Sequence, residues 1–214
     1  MKRAVPARNF IIVDHPLIRQ DLSILRDRRT KTSQFRATLR RVAFLMAFEA
    51  TRGLKLQSHT LWTPMEKTTG YTLAERVVLI PVLRAGLGLL DGFLDYLPEA
   101  RIGHLGIYRD EATLAPVDYY AKLPRLLHRS LVIVLDPMLA TGGSATAGIT
   151  YLKRKRAKRI YFVSVVAAPE GVRKLTAAHP DVKIFTAVLD RRLNSRGYIL
   201  PGLGDAGDRI FGTG

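Results

Sequence analysis

The stretch richest in chemistry is Leu131-Val132-Ile133-Val134-Leu135-Asp136-Pro137-Met138-Leu139-Ala140-Thr141-Gly142-Gly143-Ser144. An aliphatic run of strand type ends in a carboxylate, and a short loop then delivers Thr-Gly-Gly-Ser to the start of a helix. The first amides of a helix have no partners inside it and carry the positive end of its dipole, which suits a phosphate dianion. The glycine pair lets the backbone approach phosphate oxygens closely, and the hydroxyls of Thr141 and Ser144 add donors. Asp136 would repel that phosphate, so its use is as an acceptor for sugar hydroxyls or through a metal ion. The motif is not a Walker loop, since no Gly-Lys-Ser/Thr is present. It is not a dinucleotide fingerprint either, since Gly142-Gly143 lacks the Gly-x-Gly-x-x-Gly spacing. A plain turn followed by a helix cap leaves the order strand, acid, glycine pair and hydroxyls unexplained.

Two further segments carry candidate groups. In Pro81-Val82-Leu83-Arg84-Ala85-Gly86, Arg84 stands at a strand end just before a glycine and a helix, where its planar fork suits anionic oxygens. The stretch Tyr198-Ile199-Leu200-Pro201-Gly202-Leu203-Gly204-Asp205-Ala206-Gly207-Asp208-Arg209 is glycine-rich with little periodicity, better suited to wrapping a ligand than to filling a core. The five histidines are scattered, the sequence offers no metal-ligand cluster, and no nucleophile–base pair stands out.

The elements that must position these groups alternate. Phe10–Val13 is a short strand, a helix runs from Leu17 to Asp27, and a longer amphipathic helix runs from Ser33 to Thr51. The apolar residues of that second helix, Phe35, Leu39, Val42, Ala43, Met46 and Ala50, recur at three- and four-residue spacing, and Gly53 stops it. Strands then fall at Val77–Val82, Ile102–Tyr108, Leu131–Leu135, Ile160–Ala167 and Val182–Ala187. Helices separate them at Leu87–Leu97, Ser144–Lys153 and Gly171–Ala178. Continuous aliphatic strands between helices mean strands buried on both faces, hence an α/β fold with a mostly parallel sheet flanked by helices. Two segments break the rhythm. Arg109–Arg129, polar and with Pro116 and Pro124 around an alternating run, predicts a flexible, projecting β-hairpin arm. Residues 193–214 predict a C-terminal hood that binds a ligand.

The chain has 214 residues, enough for one well-cored domain over 1–214, with residues 1–10 as a basic tail that lacks the apolar core of a signal peptide. Hydrophobic residues at 47% and charged residues at 24% are globular values and argue against disorder. No apolar run reaches the roughly 18–20 residues of a membrane helix, and the absence of cysteine excludes disulfide and thiolate chemistry. A cytoplasmic setting is expected. The net charge of +16 attracts phosphorylated ligands and nucleic acid alike. Its densest run, Lys153-Arg154-Lys155-Arg156 with Lys158 and Arg159, is read as the solvated end of a helix, with RNA binding the lesser reading.

Leu135–Ser144 resembles the signature with which phosphoribosyltransferases bind phosphoribosyl pyrophosphate (PRPP). The form Asp-Pro-Met-Leu-Ala-Thr-Gly-Gly-Ser resembles the uracil-specific branch; most other branches have a second acid where this chain has Pro137. The resemblance runs from Val13-Asp14-His15-Pro16 to the C-terminus. It implies the type I phosphoribosyltransferase fold and the reaction of uracil with PRPP to give UMP and pyrophosphate. It further implies PRPP ligands at Arg84, Arg109, Asp136, Pro137, Met138, Leu139, Ala140, Thr141, Gly142, Gly143, Ser144 and Asp205, with Arg109 supplied by the arm. Uracil contacts are implied at Ile199, Gly204, Asp205 and Ala206. Catalytic roles fall to Arg84, Arg109 and Asp205, with Mg²⁺ held mainly through PRPP and no protein metal ligand assigned. The resemblance also implies a homo-oligomer, dimer or tetramer, and a nucleotide effector such as GTP or CTP. Two rivals remain at this level: transfer to another base, and an RNA-binding regulator that keeps the fold.

Overall fold

The structure, a computed structural model, describes residues 9–109 and 116–213, and gives the backbone alone for residues 108–109 and 116–119. Most of the expected tail and the tip of the expected arm thus lie outside the described residues. The chain opens with β1 (Phe10–Ile12), α1 (Pro16–Arg26) and α2 (Thr32–Thr51). Pro16 takes the first turn of α1, where its missing N–H costs nothing, and the His15 ring accepts the Leu17 N–H at 3.2 Å as the cap. A two-stranded antiparallel hairpin follows, β2 (Leu56–Trp62) and β3 (Lys67–Leu73), paired only with each other and almost wholly exposed.

The alternating part consists of β4 (Arg76–Leu83), α3 (Leu87–Tyr96), β5 (Arg101–Ile102), β6 (His104–Arg109), β7 (Pro116–Lys122), β8 (Ser130–Leu135), β9 (Met138–Leu139), α4 (Gly143–Arg154), β10 (Arg159–Ala167), α5 (Pro169–Ala178) and β11 (Lys183–Leu189). A small hairpin, β12 (Arg192–Leu193) with β13 (Ile199–Leu200), and α6 (Ala206–Phe211) end it. The main sheet runs in the order β1-β11-β10-β8-β4-β6-β7, with β5 on β4 and β9 on β10. Its pairs are parallel except β6–β7, as the continuous aliphatic strands require.

Successive strand residues feed two cores. Leu79, Leu131, Ile133, Val163 and Phe185 pack on one face with Phe35, Leu39, Met46, Leu89 and Phe93 of the helices. Ile80, Val132, Val134, Phe162 and Ile184 pack on the other with Ile149, Leu152, Val172 and Leu175 of α4 and α5. The period of two explains why the sequence showed unbroken apolar runs: both faces are dry.

Two details differ from the sequence reading. Ile102–Tyr108 is two strands parted by Gly103. In the expected arm, β6 and β7 pair as an antiparallel hairpin that runs beyond the last β4–β6 register pair, Leu83 with Gly106, and a 3₁₀ turn at Leu127–Arg129 leads back into β8. A second hairpin, β2–β3, occupies a segment to which the periodicity assigned no element. Its strands bury nearly nothing, so they carry no apolar alternation to read.

Candidate active site

Ligands of open parallel sheets sit beyond the carboxyl ends of the strands, and the candidate residues converge there. Pro81 of β4 pairs with Leu135 of β8, so the segments 83–86 and 136–144 leave neighbouring strands side by side. On the far side of β4, Leu83 pairs with Gly106 of β6, whose last residue is Arg109. The Arg109 backbone thus ends on the same edge, while its side chain lies outside the described residues.

The loop after β8 is fixed to its neighbours. The Asp136 N–H donates to Val163 at 3.1 Å, and the Pro137 carbonyl accepts from Val165 and Val166 at 3.0 and 3.1 Å. Ala168 donates to Leu139 at 2.9 Å. Gly142 then takes φ +76° at the N-cap of α4, a left-handed conformation that side chains disfavour. A Cβ there would stand 2.8 Å from the Gly171 carbonyl oxygen. No side chain caps α4, so its first amides keep their capacity for an anion. Asp136 is half-buried; its carboxylate accepts the Met138 N–H at 3.2 Å, and desolvation pushes its pKa up to about 7 despite that bond.

Packing α5 against the loop brings in a residue that the sequence reading missed. Lys174 lays its stem over Gly142, its Cβ 3.3 Å from where a Gly142 Cβ would be. Its ammonium lies 3.9 Å from the position of a Gly143 Cβ, and the Thr141 hydroxyl lies 3.7 Å from the same point. The ammonium makes no ion pair among the described residues. Sequence alone gave no signal, because the juxtaposition depends on Gly142 and Gly171 meeting backbone to backbone.

The C-terminal hood reaches the same edge. Asp205, exposed, caps α6 by accepting the Asp208 N–H at 3.0 Å. A Cβ on Gly207 would stand 4.0 Å from that of Ala85, so α6 begins against the segment that carries Arg84. Arg84 is 62% exposed, 3.9 Å from an Asp208 oxygen and 5.8 Å from the Phe211 ring. Ile199 and Ala206 are buried, and Gly204 is exposed with φ +78°.

Two arginines that sequence reasoning passed over fasten this hood. Arg26 of α1 makes a two-pronged pair with buried Asp190 at 2.7 and 3.1 Å and donates to the Gly202 carbonyl at 3.1 Å. The other Asp190 role is to accept the Gly202 N–H at 2.9 Å. Arg209 of α6 donates to the Leu203 and Asp27 carbonyls at 2.8 and 2.7 Å and to that of Leu25, and lies over the Phe35 ring at 4.4 Å. Glu170 of α5 accepts the Leu193 N–H at 3.3 Å and so ties the hood to the helix beneath the loop.

Among the described residues no group of three or more His, Cys, Asp or Glu could hold a metal ion. The loop offers one half-buried carboxylate, Asp136, with Pro137 next to it. That donor set fits an ion carried mainly by a ligand's phosphates and water rather than a protein cage. A cavity of about 800 Å³ lies elsewhere, at the start of β4 and the end of α3, and contains none of these residues. No helix of the described residues is long and apolar enough to cross a membrane.

Comparison with known proteins agrees with this geometry. Residues 12–213 match a protein-family model described as uracil phosphoribosyltransferase. A uracil phosphoribosyltransferase of Salinibacter ruber is 53% identical over 205 residues, covering 96% of this chain and 98% of the relative. One from Fervidobacterium nodosum is 53% identical over 203 residues, covering 94% and 98%. Among solved structures, the AQ2163 protein of Aquifex aeolicus superposes with a TM-score of 0.90 at 38% identity, covering 95% of this chain and 98% of that one. An adenine phosphoribosyltransferase of Trypanosoma brucei gives a TM-score of 0.58 at 12% identity, covering 87% and 84%, a likeness of fold alone.

Proposed function

The chain belongs to the uracil phosphoribosyltransferase family, and from that premise we propose that its loop cluster transfers the phosphoribosyl group of PRPP to uracil. The C1–oxygen bond to pyrophosphate breaks, the bond from C1 to uracil N1 forms, and the N1 proton is released to solvent. The observation that carries this is the uncapped start of α4, with Gly142 at φ +76°, beside the loop that bears Arg84.

In this reading the 5′-phosphate sits on the amides and hydroxyls of Thr141–Ser144, with the Lys174 ammonium beside them. Asp136, held by the Met138 N–H, accepts the ribose hydroxyls, and the rest of the segment Pro137–Ala140 shapes the wall. Arg84 and Arg109 stabilise the charge that develops on pyrophosphate as it leaves, where preorganised donors contribute most. Fixing both ends of PRPP orients C1 toward the base. Uracil is read by backbone groups at Ile199 and Gly204–Ala206, and Asp205 also reaches PRPP. Cytosine reverses a donor and an acceptor along that edge and would leave buried groups unpaired. Mg²⁺, bound with PRPP, would neutralise pyrophosphate charge; Asp136 is the residue nearest to holding it.

The reading keeps the cytoplasmic setting and the homo-oligomer expected from the family resemblance. The hairpin β2–β3 supports self-association, since Trp62, Met65 and Tyr71 are 74%, 91% and 64% exposed. A nucleotide effector is proposed with it. The test is UMP formation from uracil and PRPP, with and without Mg²⁺, set against cytosine, adenine, guanine, hypoxanthine and orotate. A preference for any base other than uracil overturns the assignment.

A further inference from the structure

Glu170 is an acid to which the proposed reaction gives no part. It stands in the first turn of α5, where one carboxylate oxygen, Oε1, accepts the Leu193 N–H at 3.3 Å. That length is at the far end of the range for such a bond. The other oxygen, Oε2, is buried and has no hydrogen-bond partner among the described residues. A carboxylate oxygen taken out of water without a donor destabilises the fold. Arg26, by contrast, gives a donor to each oxygen of Asp190. An acid left half-satisfied at this point calls for a role beyond holding the chain together.

Its surroundings belong to the two halves of the site. Next along the chain is Gly171, which meets the phosphate loop backbone to backbone. A Cβ there would stand 2.7 Å from the Leu139 carbonyl oxygen and closer still to that of Ala140. Across from the carboxylate lies β12. Asn194 donates to Tyr198 at 2.8 Å, and Leu193 is in register with Ile199. Leu193 and Ile199 are therefore a non-hydrogen-bonded pair, in which the backbone groups of both residues face out of the ribbon. Leu193 turns its N–H to Glu170, and Ile199 turns its own groups to the opposite edge. Glu170 thus grips one edge of a two-stranded ribbon whose other edge carries the backbone assigned to uracil.

Among the described residues this is the only hydrogen bond between α5 and the hairpin β12–β13. One long bond between the helix under the phosphate loop and the ribbon beside the base is a joint that a ligand can tighten. Phosphate settling on the loop fixes Leu139–Gly142, with them the first turn of α5, and with that turn the Glu170 carboxylate. Given the transfer reaction proposed above, we propose that Glu170 is a positioning residue that couples the two substrates: with the phosphate loop filled, it sets the Ile199 edge for uracil.

Ribose 5-phosphate fills the phosphate loop but has no pyrophosphate to lose, so it tests the coupling without turnover. The whole protein is titrated with it by calorimetry, with and without a fixed excess of uracil. Coupling between two sites is reciprocal, so the gain in one affinity measures the gain in the other. In the wild type uracil is expected to tighten ribose 5-phosphate by about fivefold or more. In Glu170→Ala the ratio is expected to fall below about twofold, with ribose 5-phosphate alone bound as in the wild type. Glu170→Asp keeps the charge at the helix start but is too short to reach Leu193, and should behave as the alanine variant does. Glu170→Gln keeps an acceptor for the Leu193 N–H and should restore most of the coupling. Thr176→Ala, which removes a buried, unpartnered hydroxyl elsewhere on α5, should leave the ratio as it is. Absence of coupling in the wild type, a ratio unmoved in Glu170→Asp and Glu170→Ala, or an equal loss in Thr176→Ala overturns the inference. UMP formation is followed on the same samples. Its absence in the wild type overturns the transfer reaction itself, whereas UMP formed with a coupling indifferent to Glu170 overturns the positioning role alone.

Discussion

A Cβ on Gly142 would stand 2.8 Å from the carbonyl oxygen of Gly171, so the phosphate loop and the first turn of α5 touch through bare backbone. This contact holds the loop open toward solvent and sets α5 beneath it. Gly142→Ala meets both the contact and a φ of +76°, and is expected to cost about 1–3 kcal/mol with a raised KM for PRPP. Gly53→Ala, with nothing within 4 Å of its Cβ, is the control and should leave both Tm and KM unchanged. Equal effects of the two substitutions would remove the contact from the account.

The same contact carries Lys174 to the rim of the cup. Lys174→Ala is expected to raise the KM for PRPP by roughly three- to tenfold, as befits one charge-assisted contact, with kcat little changed. Lys174→Arg should restore most of it, because a cation is wanted rather than an ammonium in particular. An unaltered KM in the alanine variant would make Lys174 a bystander.

Arg84 rests in the open, held only loosely by Asp208 at 3.9 Å and by the Phe211 ring. Little is lost when it turns toward an arriving pyrophosphate, since exposed pairs of this kind are weak. Arg84→Ala is expected to lower kcat/KM for PRPP by about 100-fold or more, the scale found for removal of a preorganised donor at a developing charge. Arg84→Lys should recover only part, lacking the fork. Tm should stay put in both. Retained turnover in Arg84→Ala would strike this residue from the mechanism.

Much of the fold could be read in the sequence because the sheet is buried on both faces. Leu131–Leu135 and Ile160–Ala167 gave unbroken apolar runs, and strand-acid-glycine order marked the loop. What stayed hidden has physical reasons. Hairpin β2–β3 buries almost nothing, so no alternation announces it. Arg26 and Asp190 are 164 residues apart, and no local pattern joins them. Lys174 sits on an ordinary amphipathic helix and gains meaning only from where Gly171 lets that helix pack.

Arg26 and Asp190 hold Gly202 by both its N–H and its carbonyl, and thereby set the turn from which the base-binding segment leaves. Asp190 is 6% exposed, so removal of its partner strands a buried charge. Arg26→Met is expected to cost about 3 kcal/mol and to raise the KM for uracil more than that for PRPP. Chemical denaturation and steady-state kinetics would check both. A stability loss with an unmoved uracil KM would confine the pair to folding.

Asp136 supplies a pH signature. Desolvation raises its pKa from 3.8 to about 7, against the opposing pull of the Met138 N–H. An acid bound more tightly to its proton in the folded than in the unfolded chain stabilises fully below the unfolded value and loses that contribution as pH climbs toward the folded one. Wild-type Tm, measured against Asp136→Asn, is therefore expected to fall between about pH 4 and pH 7 and to level off above, because the amide has no proton to lose. Substrate should act in the opposite sense. Ribose hydroxyls donate to the ionised carboxylate, so PRPP favours the deprotonated form, and wild-type kcat/KM relative to the variant should climb through about pH 7. Comparison with the variant cancels the titration of PRPP itself. Parallel pH profiles for the two proteins would show that Asp136 neither carries the shifted proton nor meets the sugar.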